Sequence, residues 1–105
     1  MNVLSNIALA VAYFQTNRFE KARDAARRAV ESNPRYSVPQ SLLAAALIRL
    51  GRKEEAKLAA QSALALDPTL TIHARSLTVG LEPTVFVPFA AAWREAGIPD
   101  GLNPA

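Results

Sequence analysis

A chain of 105 residues and 11.3 kDa has room for one compact domain, and with half of its residues apolar it can bury a modest core. Twelve Lys and Arg against nine Asp and Glu leave a net charge of +3, too weak a bias to argue for nucleic acid or an anionic membrane as partner. The absence of cysteine excludes disulfide staples and thiol chemistry and accords with a reducing cytoplasm, and the lone His73 cannot assemble a metal site unaided.

The longest charge-free run, MNVLSNIALAVAYFQTN at 1–17, lacks a basic leader and carries Asn2, Ser5 and Asn6 among its apolar residues. It therefore reads as neither signal peptide nor membrane span, and the chain is expected to be soluble. Within it Leu4, Ile7, Ala8, Val11, Tyr13 and Phe14 recur at helical spacing, which predicts a helix to about Gln15 and a turn at Thr16-Asn17. Asn17 and Glu20 have the spacing of a capping box, opening a second helix that runs to about Ser32 and is stopped by Pro34. Ser37 and Gln40 offer a second capping box and a third helix. Gly51, free to take positive φ, marks the next turn, and a fourth helix ends before Pro68. TIHARSLTVG at 71–80 predicts a short helix capped by Thr71 and closed by Gly80, and a last helix has Thr84 as N-cap, Pro88 in its donor-free first turn and its end near Gly97. Residues 98–105 read as a tail.

Shifted by 34 residues, the sequence falls on itself. Leu9 meets Leu43, Ala10 meets Ala44, Ala22 meets Ala56, Ala26 meets Ala60, Ala29 meets Ala63 and Pro34 meets Pro68. The helix signals repeat with them: Arg18 on Arg52, Glu20 on Glu54, and Asn17 on Gly51 at the turn. One helical hairpin is thus used twice, over 3–36 and 37–70. This period and its fixed points resemble the tetratricopeptide repeat, with Leu9, Tyr13, Ala22, Ala29 and Pro34 matching its signature in the first unit and Leu43, Ala56, Ala63 and Pro68 in the second. Asn6 and Gln40 stand where the signature has Trp, Ala10 and Ala44 where it has Gly, and Leu47 where it has a second Tyr.

The resemblance implies an all-α fold, two hairpins in a right-handed stack, with residues 71–97 as a C-terminal helical cap. It also implies a protein or peptide partner on the concave face lined by the first helix of each hairpin, here Ile7, Val11, Phe14 and Gln15, then Ser41, Ala45, Ile48 and Arg49. Ile7 and Val11 occupy positions where carboxylate-clamping members of the family have Lys and Asn, so an apolar, helical segment is the expected ligand. Packing of these side chains against neighbouring helices is the equally weighted alternative.

The block ending AAWREAGIPDG resembles the C-terminal end of bacterial class III adenylate and guanylate cyclases that carry such repeats, which implies a regulatory or dimerising piece of a larger enzyme. No catalytic constellation accompanies it. Glu20 and Asp24 share a helical face with Arg23, Arg27 and Arg28, the pattern of a solvated ion-pair surface, and His73 has no nucleophile pattern beside it. The chain is expected to be non-catalytic, with no cofactor and no metal. The basic set Arg18, Lys21, Arg23, Arg27, Arg28 and Arg35 is interleaved with Glu20, Asp24 and Glu31 and lacks stacking aromatics, which argues against nucleic acid.

The two ends of the chain carry one further expectation. Helices that are apolar on several faces are buried on several faces. The first helix has no charge before Arg18, and the last has Val85, Phe86, Val87, Phe89 and Trp93 with Arg94 and Glu95 as its charges. A homodimer burying Leu4, Tyr13, Val85, Phe86, Phe89 and Trp93 is therefore expected, unless the terminal helices fold back over the repeats.

Overall fold

The structure, a computed structural model, describes residues 3–72, 83–99 and 101. Among them the chain forms helices and no strand: α1 (Val3–Gln15), α2 (Phe19–Ser32), α3 (Ser37–Arg49), α4 (Lys53–Leu66) and α5 (Pro83–Ala96). α1 pairs with α2 and α3 with α4 as two hairpins, α3 packs on α2 to stack them, and α5 lies chiefly on α3.

The 34-residue period of the sequence reappears as a period of backbone hydrogen bonds. The amide of Asn17 donates to the carbonyl of Phe14 at 3.1 Å and that of Arg18 to Tyr13 at 2.8 Å; 34 residues on, Gly51 donates to Ile48 at 3.0 Å and Arg52 to Leu47 at 2.9 Å. These are the two bonds of a Schellman cap, which needs its C′ residue in the left-handed region. Asn17 and Gly51 supply it, with φ of 61° and 77°. The expected Asn17–Glu20 capping box is corrected accordingly. Asn17 closes α1 instead of opening α2, and the N-cap is Arg18, whose side chain makes no capping bond. Asn is the non-glycine residue best suited to this conformation, because its short polar side chain tolerates it.

The Ser37–Gln40 box is corrected in the same way. Tyr36, with extended backbone, is the N-cap of α3, and Ser37 is already helical. Pro39 then falls in the first turn, where its missing donor costs no helix bond. In the last helix Thr84 is not the cap either, since α5 begins at Pro83. Pro88 is therefore past the first turn, where it cannot donate the bond that the carbonyl of Thr84 would receive in a regular helix. Gly97, at φ 105°, ends α5 with a third Schellman pair, Gly97 to Arg94 at 3.2 Å and Ile98 to Trp93 at 2.9 Å. The short helix expected over 71–80, with His73, lies outside the described residues beyond Ile72.

The core is made largely of alanine. Ala22, Ala25, Ala26 and Ala29 of α2 and Ala56, Ala59, Ala60 and Ala63 of α4 are buried, while the opposite face of α2 carries its charges. Small side chains let the helices of each hairpin approach closely. They also bury little apolar area each, so the large side chains that remain carry a disproportionate share of the hydrophobic stabilisation. The largest of those, Phe14, Phe89 and Trp93, gather where α5 meets the hairpins, beside the aliphatic Leu42 and Leu47 of α3. The chain after α5 returns to the end of the second hairpin. The Ile72 amide donates to the Pro99 carbonyl at 2.8 Å, and Gly101 sits so close to Thr71 that a Cβ there would collide with it.

Candidate functional site

The surface on which a partner was expected is formed by α1 and α3, and α5 lies across its centre. Phe89 stacks on Phe14 of α1 with ring centroids 3.9 Å apart and planes 18° from parallel, and Trp93 follows one turn later at 5.4 Å from Phe89. The indole Nε1 of Trp93 donates to the backbone carbonyl of Ser41 at 2.8 Å. Buried aromatic N–H groups need such a partner, and this one fixes the position of α5 along α3. Phe89 and Trp93 are both 1 % exposed.

Of the eight residues expected to line the groove, Phe14, Ser41 and Ala45 are therefore buried within the chain. Ile7 and Val11 are half-buried and Gln15 is exposed on α1. Ile48 and Arg49, at the end of α3, remain accessible, half-buried and exposed respectively. They line an open cleft of about 590 Å³ together with Phe19 of α2 and Ala91, Ala92, Arg94 and Glu95 of α5. Phe19 also lines a second cleft of about 460 Å³, with Asn17, Arg18, Glu20, Lys21 and Leu50.

Phe19 is the residue that sequence reasoning missed. It meets Phe14 edge-on at 5.3 Å and 70°, and the guanidinium of Arg49 lies over its ring, 5.0 Å from the centroid. The signal was available in the period itself: the residue 34 positions on is Lys53, so an aromatic at 19 is particular to the first hairpin and not required by the repeat.

The residues assigned to a dimer face are placed differently from that expectation. Phe89 and Trp93 are covered by the chain's own α1 and α3, so the fold-back arrangement is the one observed for them. Tyr13 is half-buried, with the Lys21 ammonium 5.7 Å from its ring centroid. Leu4, Val85 and Phe86 lie on α1 and α5, and their side chains fall outside the described residues.

The basic set on α2 is partly engaged. Arg23 pairs with Asp24 at 3.2 Å, Arg27 reaches Glu55 of the other hairpin at 3.9 Å, and Arg28 donates through Nε to Asn6 Oδ1 at 3.3 Å. Asn6, fully buried where the repeat signature has Trp, thus ties α1 to α2 by a hydrogen bond instead of by ring area. Among the described residues no group of His, Asp and Glu stands ready to hold a metal ion, and no helix is long and apolar enough to cross a membrane.

Models of one family match both hairpins, the tetratricopeptide repeat, over residues 4–36 and 40–70, together more than half of the chain. The chain belongs to the tetratricopeptide repeat family. Tetratricopeptide repeats generally serve as protein-interaction modules, typically without catalysis of their own. No curated protein matches the chain, and no solved structure does. The cyclase resemblance of the C-terminal third has no relative to support it.

Proposed function

We infer that the chain is a cytoplasmic protein-interaction module that takes an apolar, helical segment of a partner protein at the open end of its concave groove. The observation that carries this reading is α5 itself. The groove already holds one apolar helix, by stacking on Phe14 and by a single polar anchor on Ser41, an intramolecular example of the ligand class that suits this surface. With the centre occupied, the accessible part is the cleft bounded by Phe19, Ile48 and Arg49 on one side and the outer edge of α5 on the other.

A photo-crosslinking residue at position 48 should capture the partner from a native lysate. The same residue at Leu58, exposed on α4 outside the cleft, should not. Capture from position 58 and not from 48 would move the site off the concave face.

Self-association is a companion proposal, favoured by Val87 and Leu58, which are 62 % and 64 % exposed. Phe89 and Trp93 do not contribute to it while α5 is docked. A place at the end of a nucleotide cyclase rests on the sequence resemblance alone.

A further inference from the structure

The two clefts that share Phe19 have a chemistry that narrows the partner. Four cations line them, Arg18, Lys21, Arg49 and Arg94, against two carboxylates, Glu20 and Glu95. Among the described residues neither Arg18 nor Arg49 has a carboxylate within ion-pairing distance. The guanidinium of Arg49 moreover lies over the ring of Phe19, 5.0 Å from its centroid, which keeps the charge beside the residue that both clefts share. A cation–π contact with one ring does not use up the five N–H donors of an arginine, so Arg49 can still meet a carboxylate in a forked pair. Beside it Ile48, Ala91 and Ala92 give an apolar floor, in a cleft large enough for a few side chains.

We propose that the partner segment is acidic as well as apolar: an aliphatic or aromatic side chain seats on Phe19 and Ile48, and an Asp or Glu side chain about one turn away pairs with Arg49. The inference rests on the groove reading above and adds the charge of the ligand to it. The cations outnumber the carboxylates around both clefts, so approach of an acidic segment is favoured at long range as well, and the preference weakens as salt rises.

The test is a selection from a phage library of randomised helical peptides against the whole chain. The peptides are fused through their C-termini, so no free terminal carboxylate is present. Enriched sequences should pair a large apolar residue with Asp or Glu three or four positions away. In a selected peptide, changing that carboxylate to Gln should weaken binding about fivefold, the scale of a solvent-accessible ion pair. The Arg49→Gln variant should bind the acidic and the Gln peptides equally, and Arg49→Lys should restore part of the difference. Enrichment of apolar peptides with no acidic preference, still competed by Ile48→Glu, would overturn the charge assignment and leave the groove reading in place. Absence of any peptide that Ile48→Glu weakens would overturn the groove reading itself.

Discussion

Truncating Phe89 to Ala tests whether α5 occupies the groove in solution. The side chain is fully buried between Phe14 at 3.9 Å and Trp93 at 5.4 Å. Removing a buried Phe costs about 3–5 kcal/mol, transfer and cavity together. One feature places this site at the upper part of that range: the ring has two aromatic neighbours, so its removal takes contacts from both at once. The near-parallel stack at 3.9 Å is closer to face-to-face than aromatic pairs prefer, so the specific Phe14–Phe89 coupling falls near about 0.5 kcal/mol, the lower end for such pairs. The assay is urea unfolding followed by circular dichroism for the parent, Phe14→Leu, Phe89→Leu and the double variant, with Phe89→Ala alongside. Against a total stability of about 5–15 kcal/mol, Phe89→Ala should leave a marginal fold. If Phe89→Ala unfolds at the parent's urea midpoint, α5 is not packed on α1 and α3, and its aromatics are available to another chain after all.

The remaining predictions concern backbone and contact positions. Ala56→Leu, and Ala22→Leu at the equivalent crossing, should overpack a fully buried helix contact by about 1–3 kcal/mol; if both melt like the parent, the 34-residue alignment is wrong. Gly51→Ala should cost about 1–2 kcal/mol for conformation alone, since no atom lies within 4 Å of the added Cβ, and Asn17→Ala should cost less at the matching turn, because Asn17 already carries a Cβ there; denaturation midpoints check both. Gly101→Ala adds a collision with Thr71 to the same backbone cost and should speed hydrogen exchange at the Ile72 amide, which bonds to Pro99; unchanged protection there would mean that the returning chain does not dock. Trp93 emission should be blue-shifted and independent of protein concentration, because the chain itself buries the indole, and a red shift on dilution would restore it to an interface between copies.

The four repeat helices were legible because two independent signals coincided, alanine at fixed spacing and helix punctuation, each recurring after 34 residues. Errors concentrated at residues whose chemistry serves two purposes. Asn17 suits both an N-cap and a left-handed C′ position, and its own neighbourhood does not separate the two. Its alignment with Gly51 does, because an N-cap has no use for glycine's freedom while a Schellman turn requires it. For α5 the pattern revealed burial and not the partner. Phe89 and Trp93, four apart, announce one apolar stripe, but no local pattern says whether another chain or the same one covers it. The candidate cleft was half legible for the same reason: the repeat register put Ile48 and Arg49 on the part of α3 that borders it, whereas its α5 wall came from outside the repeat.

In the proposed reading stability and recognition draw on the same aromatic cluster, and this decides where a partner could enter. Each repeat hairpin needs a neighbour to bury its apolar face, and two alanine-rich hairpins provide little area for each other. Helix α5 supplies what they lack by covering Phe14 and the face of α3. A ligand seated at the centre of the groove would have to expel Phe89 and Trp93 together, at about 6–10 kcal/mol on the scale of large aromatic truncations. A micromolar complex releases about 8 kcal/mol in total, so such a ligand would spend its whole affinity on displacement. The rim cleft carries no such cost, since Phe19, Ile48 and Arg49 are exposed or half-buried with α5 in place. Binding at the rim, as proposed, would leave the core intact, with α5, the helix that closes the groove, as one wall of the cleft.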